Sequence, residues 1–304
     1  MAWTFEKVAG PFDGATGGLA WDGSAMLFTL LEEQKIMRFE PETGSVKESR
    51  RHTHRANGIA FGPNAVLYGA QEAGRRIIAF QRDGSATQTA YQLNGRFHNQ
   101  PSDLCVDVSR RIWFADGYSA KPPPGPHIFP LLDHASVLKL EVGPQREWML
   151  SRITHDTVAP RAVLLSSDEN TLYVAEGDVA RTGPRELRAY PLDSSGRAGL
   201  HLVLHTFGGD HRGKHRGVEG MCLEREGNIV ACAGWRTAGP GPLIYVFSPS
   251  GAVLESHALP CDLPMKCAFG GPRLDTLYVT AGDGCLYRAH TARYSGAPNR
   301  WVSA

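Results

Sequence analysis

The chain lacks a large net charge of either sign, because 32 Lys and Arg residues nearly balance 31 Asp and Glu residues and leave a formal charge of +1. A protein that binds nucleic acid or an anionic membrane surface through bulk charge needs a clear excess of basic residues. We therefore expect neither partner. Long hydrophobic runs are also missing, and the N-terminal sequence MAWTFEKVAGPF has no basic segment followed by an apolar one. The sequence thus predicts no membrane span and no secretory leader, and it favours the cytoplasm.

Recognisable catalytic and metal-binding motifs are scarce. The six cysteines, at positions 105, 222, 232, 261, 267 and 285, include no CxxC pair and have no His at zinc-finger spacing. Most of them lie in short apolar runs such as DLCVDV and VACAG, where a thiol usually behaves as a small buried hydrophobic group. The chain has no GxSxG motif, no P-loop and no GxGxxG at the start of a helix. A serine hydrolase elbow and a nucleotide site therefore have no support.

A repeat is present instead. Six related units begin at residues 17, 57, 102, 161, 219 and 266, with spacings of 40 to 59 residues. Each unit has a short apolar run, a turn rich in Asp, Gly, Asn or Pro, a second run, and a third run such as IMRF or IYVF. Such units match the four-stranded blades of a propeller, which take about 40–50 residues each. We predict an all-β fold, a six-bladed β-propeller with residues 1–304 as a single domain. A β-sandwich is the alternative.

The two ends of the chain are predicted to meet in one blade. The sixth unit has no evident fourth strand, whereas WTFEKVAG near the N-terminus resembles a strand that no other unit needs. We expect this N-terminal strand to complete the last blade and close the ring. The proline-rich insertion 120–136 suits neither helix nor strand, and we expect it to form a loop over one face.

The heads of the six units are predicted to form the functional site. The first strand of each blade lines the central channel of a propeller, so these heads should meet at one end of it. Cations and carboxylates in a partly dry pocket shift one another's pKa values and can bind an anionic or carbonyl-bearing small molecule. A cluster of ion pairs that only plugs the channel is the alternative. The predicted catalytic residues are Glu219, Arg161, Lys266 and Asp103. The predicted substrate-binding residues are Asn57, Ser102, His98 and Asn99.

The segments QPSDLCVDVSRRIWFADG, GVEGMCLEREGNIVACAGW and LPMKCAFGGPRLDTLYVT resemble those of the SMP-30/gluconolactonase/LRE-like family. The resemblance extends over nearly the whole chain. It implies a six-bladed propeller that hydrolyses lactones with a divalent metal, often calcium or zinc, at the centre of the ring. The ligands that it implies are a Glu in a first-blade Glu-Gly-Pro-x-Trp motif, an Asn in Pro-Asn-Asp, an Asn in Pro-Asn-Gly and an Asp in Asp-Gly.

The sequence departs from this family pattern at the ligand positions. Gly17 stands in place of the Glu, Ser102 and Arg161 stand in place of the two Asn, and only Glu219 keeps a carboxylate. The sixth-blade segment, commonly Pro-Thr-Asn in close relatives, reads PMK here and introduces Lys266. A Ca²⁺ or Mg²⁺ ion needs several oxygen ligands and tolerates a guanidinium poorly. We therefore expect no cofactor, with a bound calcium or zinc ion as the family alternative.

Without a metal, the positive charge at the site must come from side chains. The first hypothesis is a metal-independent hydrolase of a lactone, an ester or a related small carbonyl compound. Arg161 and Lys266 would face the developing oxyanion, and Glu219 or Asp103 would act as general acid or base. An isomerase, lyase or condensing enzyme on the same scaffold, or a binding protein without catalysis, is the alternative. A relocated metal site among the loop histidines at 98, 127, 134, 155, 211 and 215 is a third possibility.

Overall fold

Each of the first five sequence units folds into a four-stranded antiparallel sheet, and the sixth unit forms such a sheet together with a strand from the N-terminus. The computed structural model of the chain describes residues 2–118, 131–177 and 183–302. The first strand of each sheet, here called its inner strand, contacts the inner strand of the next sheet, and the sixth contacts the first. The sheets are therefore the blades of a closed ring, and the predicted six-bladed β-propeller is confirmed.

The strands of each blade follow the chain from the channel outwards. Blade one has Thr16–Trp21, Met26–Leu30, Lys35–Glu40 and Ser45–Arg51. Blade two has Ala56–Gly62, Val66–Gln71, Arg76–Phe80 and Ala86–Gln88. Blade three has Gln100–Val106, Ile112–Gly117, Ser136–Val142 and Trp148–Arg152. Blade four has Pro160–Leu165, Thr171–Glu176, Arg185–Pro191 and Leu202–Phe207. Blade five has Val218–Leu223, Ile229–Ala233, Leu243–Phe247 and Val253–Ala258.

Blade six combines both ends of the chain, as predicted. Its first three strands are Pro264–Gly270, Thr276–Ala281 and Leu286–His290, and its outer strand is Glu6–Ala9. The N-terminal strand pairs antiparallel with the third strand, with Glu6 opposite Arg288 and Lys7 opposite Tyr287. This pairing closes the ring and covers the sheet edge that the blade would otherwise expose.

Hydrophobic packing between blades holds the ring together. There is one cluster of buried apolar side chains at each of the six junctions between neighbouring blades. The middle strands are almost wholly buried, whereas the outermost strands, such as Ser45–Arg51, are largely exposed. This distribution explains why the short apolar runs of the sequence correspond to the inner and middle strands.

In the part of the chain that the structure describes, the short elements outside the blades are two small hairpins and one turn of 3₁₀ helix. The hairpins pair Gln92–Leu93 with Arg96–Phe97 and Gly209–Asp210 with Gly213–Lys214, and the 3₁₀ turn spans Pro63–Ala65. Among the residues that the structure describes, no helix has the length and apolar character that a membrane crossing requires. The loop predicted over 120–136 falls largely outside the described residues, and so does His127. The single-domain boundary 1–304 stays a prediction.

A C-terminal strap, residues 291–302, crosses the ring at the end opposite the strand heads. Its backbone bonds to blades five and six, from the Arg225 N–H to the Ser295 carbonyl and from the Gly296 N–H to the Leu274 carbonyl. Arg300 then contacts Glu169 at 3.1 Å. The following side chains, Trp301 and Val302, pack against the apolar cluster between blades one and two. The strap and the ends of the inner strands line an open cavity of about 290 Å³.

Candidate active site at the channel end

A β-bulge interrupts the pairing of every inner strand close to its start. The pairing skips one residue in blades three, four and five, and two residues in blades one, two and six. A bulge leaves its extra residue outside the ladder and re-aims the side chain. The skipped residues include every predicted head, namely Gly17, Asn57, Ser102, Arg161, Glu219 and Lys266. The sequence repeat therefore located the positions at which the backbone itself is irregular.

Glu219 is a buried carboxylate with two guanidinium partners. One Oε atom contacts the Arg161 guanidinium, and the other lies 3.2 Å from Arg216 Nη2. Arg216 is fixed in turn by donating a hydrogen bond to the Pro264 carbonyl at 3.1 Å. Burial alone would raise the pKa of Glu219, but the two guanidinium groups outweigh it and lower this pKa to about 2. Glu219 is therefore fully ionised at neutral pH and is a weak base.

Lys266 connects blade six to blades three and five. Its ammonium lies 3.1 Å from Asp103 Oδ1 and donates a hydrogen bond to the Glu219 backbone oxygen at 3.0 Å. The second oxygen of Asp103 accepts a hydrogen bond from the Val163 N–H at 3.2 Å. Burial raises the pKa of Asp103, and Lys266 offsets only part of this effect. The two carboxylates thus have opposite pKa shifts, which is the pattern that separates a proton-transfer group from a fixed charge.

Arg161 is the most open cation of this group. Its side chain keeps 25% exposure, compared with 11% for Arg216 and 7% for Lys266. Ser102 does not point to a separate subsite, because its hydroxyl donates a hydrogen bond to the Arg161 carbonyl at 3.2 Å. The structure therefore brings all four predicted catalytic residues into one cluster, with Arg161 as the group that a ligand reaches most easily.

Asn57 belongs to a neighbouring polar network that the sequence analysis did not identify. Its amide donates a hydrogen bond to Glu72 Oε1 at 2.8 Å, and Arg55 lies 3.6 Å from the other oxygen of Glu72. A Cβ atom on Gly17 would lie 2.7 Å from Thr29 Oγ1 and 3.1 Å from Asn57 Oδ1. The space beside Gly17 is thus already filled. Only the position of Glu72 just after a second strand could have drawn attention to it.

His98 and Asn99 lie apart from the channel cluster, and substrate contact by these two residues stays a prediction. Both are fully buried. A ring nitrogen of His98 lies 3.2 Å from the Ala90 carbonyl, and burial lowers the pKa of the ring to about 4. The Asn99 N–H donates to the Asp116 carboxylate at 2.9 Å. His98 lies four residues before Ser102, which is about 13 Å along an extended chain. These two residues therefore stabilise the junction between blades two and three.

The sequence of the chain matches the model of one protein family. The model of the SMP-30/Gluconolactonase/LRE-like region matches residues 15–283. The chain belongs to the SMP-30/gluconolactonase/LRE-like family. The matched region contains the inner strands of all six blades, and the family resemblance predicted from the blade segments is confirmed.

Two curated relatives of this family member are lactonases. The 6-deoxy-6-sulfogluconolactonase of Pseudomonas putida is 34% identical over 255 residues, which cover 81% of this chain and 75% of that protein. Pentonolactonase XacC of Haloferax volcanii is 22% identical over 273 residues, which cover 88% and 81%. The structure of a gluconolactonase from Xanthomonas campestris superposes with a TM-score of 0.76 at 24% identity, over 95% of this chain and 89% of that one. That superposition shows the shared propeller fold.

The head residues of this family member do not fit the divalent ion that the family pattern implies. Gly17 offers no ligand atom, and the guanidinium of Arg161 contacts the Glu219 carboxylate where a metal would need that oxygen. Within residues 2–118, 131–177 and 183–302, no three His, Cys, Asp or Glu side chains are grouped so that they could hold a metal ion. His134 Nδ1 lies 2.8 Å from Ser136 Oγ, and His215 Nε2 lies 2.8 Å from the Pro240 carbonyl oxygen. These two ring nitrogens therefore have hydrogen-bond partners within the protein.

Proposed function

We propose that this protein hydrolyses a small lactone or ester and that it does so without a central divalent metal. The observation that carries the proposal is the buried cluster of Arg161, Lys266, Glu219 and Asp103 at the heads of four inner strands. The lactonase activity named for two curated relatives supports the reaction class. The lack of fit between the head residues and a divalent ion supports the metal-independent route.

Arg161 is the group that would stabilise the oxyanion. Nucleophilic attack on a lactone carbonyl places negative charge on the carbonyl oxygen, and fixed positive groups in a water-poor site lower the energy of that state. The partly exposed Arg161 can approach a bound carbonyl, while Glu219 holds it in place from behind. Because the pKa of Glu219 is about 2, its proposed role is to balance charge and not to transfer a proton.

Asp103 is the better candidate for general base. Burial raises its pKa, which brings the basicity of this carboxylate closer to neutral pH than that of Glu219. The Val163 N–H and the Lys266 ammonium fix its two oxygens, and each oxygen keeps a second lone pair for a water molecule. Asp103 would then take a proton from the water that attacks the carbonyl carbon and pass it to the ring oxygen as the C–O bond breaks, and Lys266 would stabilise the carboxylate before the proton arrives and after it has left.

The charge of the cluster favours an acidic substrate. Three cationic side chains, Arg161, Arg216 and Lys266, face two carboxylates, Glu219 and Asp103. The excess positive charge would attract a lactone that carries an anionic group outside the lactone ring, such as a carboxylate or a sulfonate. The predictions that nucleic acid and membranes are not partners and that the protein is cytoplasmic stay predictions.

The test measures the hydrolysis of a panel of five- and six-membered sugar lactones, with and without EDTA. The acid that is released on ring opening reports the rate. We expect turnover that EDTA does not reduce. The Arg161→Gln variant should lose about 10²–10³-fold in kcat, the usual effect of removing one oxyanion donor. Arg273→Gln is the matched control, because Arg273 is 81% exposed on blade six and contacts only Asp275 among the ion pairs of the described residues.

Three results would each contradict one part of the proposal: the catalytic activity, its independence of a metal, or the role of Arg161. If wild-type protein binds lactones but does not open them, the binding-protein alternative holds. If turnover stops in EDTA and returns with Ca²⁺ or Zn²⁺, the reaction class stands and the metal-independent route is wrong. If Arg161→Gln retains the kcat of Arg273→Gln, Arg161 is not the oxyanion group.

A further inference from the structure

Two cysteines on adjacent inner strands lie close to each other. Cys222 is near the end of the inner strand of blade five, and Cys267 is in the inner strand of blade six. Their Sγ atoms are 3.6 Å apart. A disulfide bond requires about 2.05 Å between the sulfurs. The two strands already contact each other, so closing this gap needs a side-chain and strand adjustment of only about 1–2 Å.

The two thiols of this pair differ in their electrostatic surroundings and in their access to the cavity. Hydrogen bonds from the neighbouring thiols of Cys222 and Cys232 lower the pKa of Cys267, and the positive charge of Lys266 acts in the same direction. Cys222 is only partly buried and lines the cavity of about 290 Å³ beneath the C-terminal strap. A molecule the size of hydrogen peroxide can occupy a cavity of that volume.

We infer that Cys222 and Cys267 are a redox-active pair that forms a reversible disulfide bond on reaction with a peroxide. In the first step the Cys222 sulfur, which lines the cavity, attacks one peroxide oxygen, the O–O bond breaks, the thiol proton passes to the departing oxygen, and a sulfenic acid and water result. In the second step the Cys267 sulfur attacks the sulfur of that sulfenic acid, and the displaced oxygen leaves with the proton of Cys267 as a second water. Overall the two thiols lose two electrons and two protons, and one hydrogen peroxide is reduced to two waters. A dithiol then reduces this disulfide to the two thiols by thiol–disulfide exchange and is itself oxidised to a disulfide.

The position of the pair links its redox state to the candidate active site. Cys267 directly follows Lys266, and Cys222 lies three residues after Glu219. The hydrogen bond from Lys266 Nζ to the Glu219 carbonyl, at 3.0 Å, joins the same two strands as the proposed disulfide. Drawing the strands together at the sulfurs would therefore alter the Lys266 contacts. The expectation that turnover changes on oxidation rests on the proposed function, whereas the disulfide itself does not.

The experiment is peptide mapping by mass spectrometry of native protein treated with hydrogen peroxide and then alkylated after unfolding. Wild type should lose two of its six titratable thiols and yield one linked peptide pair that contains Cys222 and Cys267. Dithiothreitol should restore all six. Cys261→Ser is the matched control, because Cys261 is buried in the same apolar cluster as Cys267, and it should still form the link. Cys222→Ser should form none.

Each outcome decides for or against the inference. Six unchanged thiols in treated wild type overturn it, and so does a link from Cys267 to Cys232. Because the wild-type result alone is decisive, a poorly folded Cys222→Ser variant does not weaken the test. If the disulfide forms in a protein that opens no lactone, the redox pair stands and the proposed function fails. If lactones are opened and no link forms, the reverse holds.

Discussion

Replacing Glu219 with Gln removes the charge of a buried carboxylate that contacts Arg161 and Arg216. In the folded protein the pKa of this carboxyl group falls from 4.5 to about 2. One pKa unit corresponds to about 1.4 kcal/mol, so the shift is equivalent to about 3 kcal/mol in favour of the charged form. We expect the Glu219→Gln variant to lose about that much free energy of unfolding at neutral pH. The value agrees with the roughly 3–5 kcal/mol typical of a broken buried ion pair.

The loss should depend on pH in a definite direction. The pKa of Glu219 is lower in the folded protein than in the unfolded chain, so the folded state binds this proton less tightly. The stabilisation is therefore complete above pH 4.5 and is lost as the pH falls towards about 2. The difference in stability between wild type and Glu219→Gln should be constant near neutral pH and should shrink in acid.

Urea unfolding followed by tryptophan fluorescence measures both effects. Glu226→Gln is the matched control, since Glu226 is an exposed carboxylate in the same blade with no ion pair among the described residues. This control should change the free energy of unfolding by less than about 0.5 kcal/mol. If Glu219→Gln and the control have the same free energy of unfolding at neutral pH, then Glu219 does not compensate the charge of the two guanidinium groups. The reasoning about the cluster then fails.

Two further substitutions test the packing and charge of the inner strands. A Cβ on Gly220 would lie 2.4 Å from the Met265 backbone oxygen, so Gly220→Ala should lower the free energy of unfolding by about 1–3 kcal/mol. In urea unfolding, Gly208→Ala, whose Cβ meets nothing within 4 Å, should change little. Lys266→Met leaves the buried Asp103 without its ammonium partner and should cost about 3–5 kcal/mol at pH 8. Burial already raises the pKa of Asp103, so this loss should decrease as the pH falls and Asp103 takes up a proton. Equal losses at pH 8 and pH 5 would contradict the pairing.

The fold could be predicted because its determinants are local and repeated. Each blade carries its own apolar runs and turn residues, and six recurrences in order leave few architectures open. The closing strand was predictable for a similar reason, since Glu6–Ala9 has strand character and the last blade lacks a fourth strand. The heads of the inner strands followed from the spacing alone, and the bulges then direct their side chains out of the ladder.

The partners of the head residues were harder to predict, because they come from distant parts of the sequence. Arg216 lies in a basic loop that reads as solvent-exposed, yet it is buried against Glu219 and Pro264. Glu72 directly follows a second strand, a position typical of turn residues, yet its carboxylate accepts a hydrogen bond from the Asn57 amide. The C-terminal strap has no apolar periodicity and is held by backbone hydrogen bonds, by the packing of Trp301 and Val302, and by ion pairs of Arg293 and Arg300. None of these contacts leaves a pattern in the sequence.

The residues at the centre of the ring depend on one another. Arg161 and Lys266 together carry the two positive charges of a divalent cation, but these charges are attached to the chain and need no reorganisation when an oxyanion forms. Unlike a metal ion, however, they do not generate a hydroxide by coordinating water. Water activation in the proposed reaction must therefore come from a carboxylate. Glu219 is too weak a base because it neutralises Arg161 and Arg216, so the role falls to Asp103, whose pKa burial raises. Arg161 and Lys266, which depart from the family pattern, thus give the two carboxylates different proposed roles. Glu219 neutralises positive charge, and Asp103 transfers a proton.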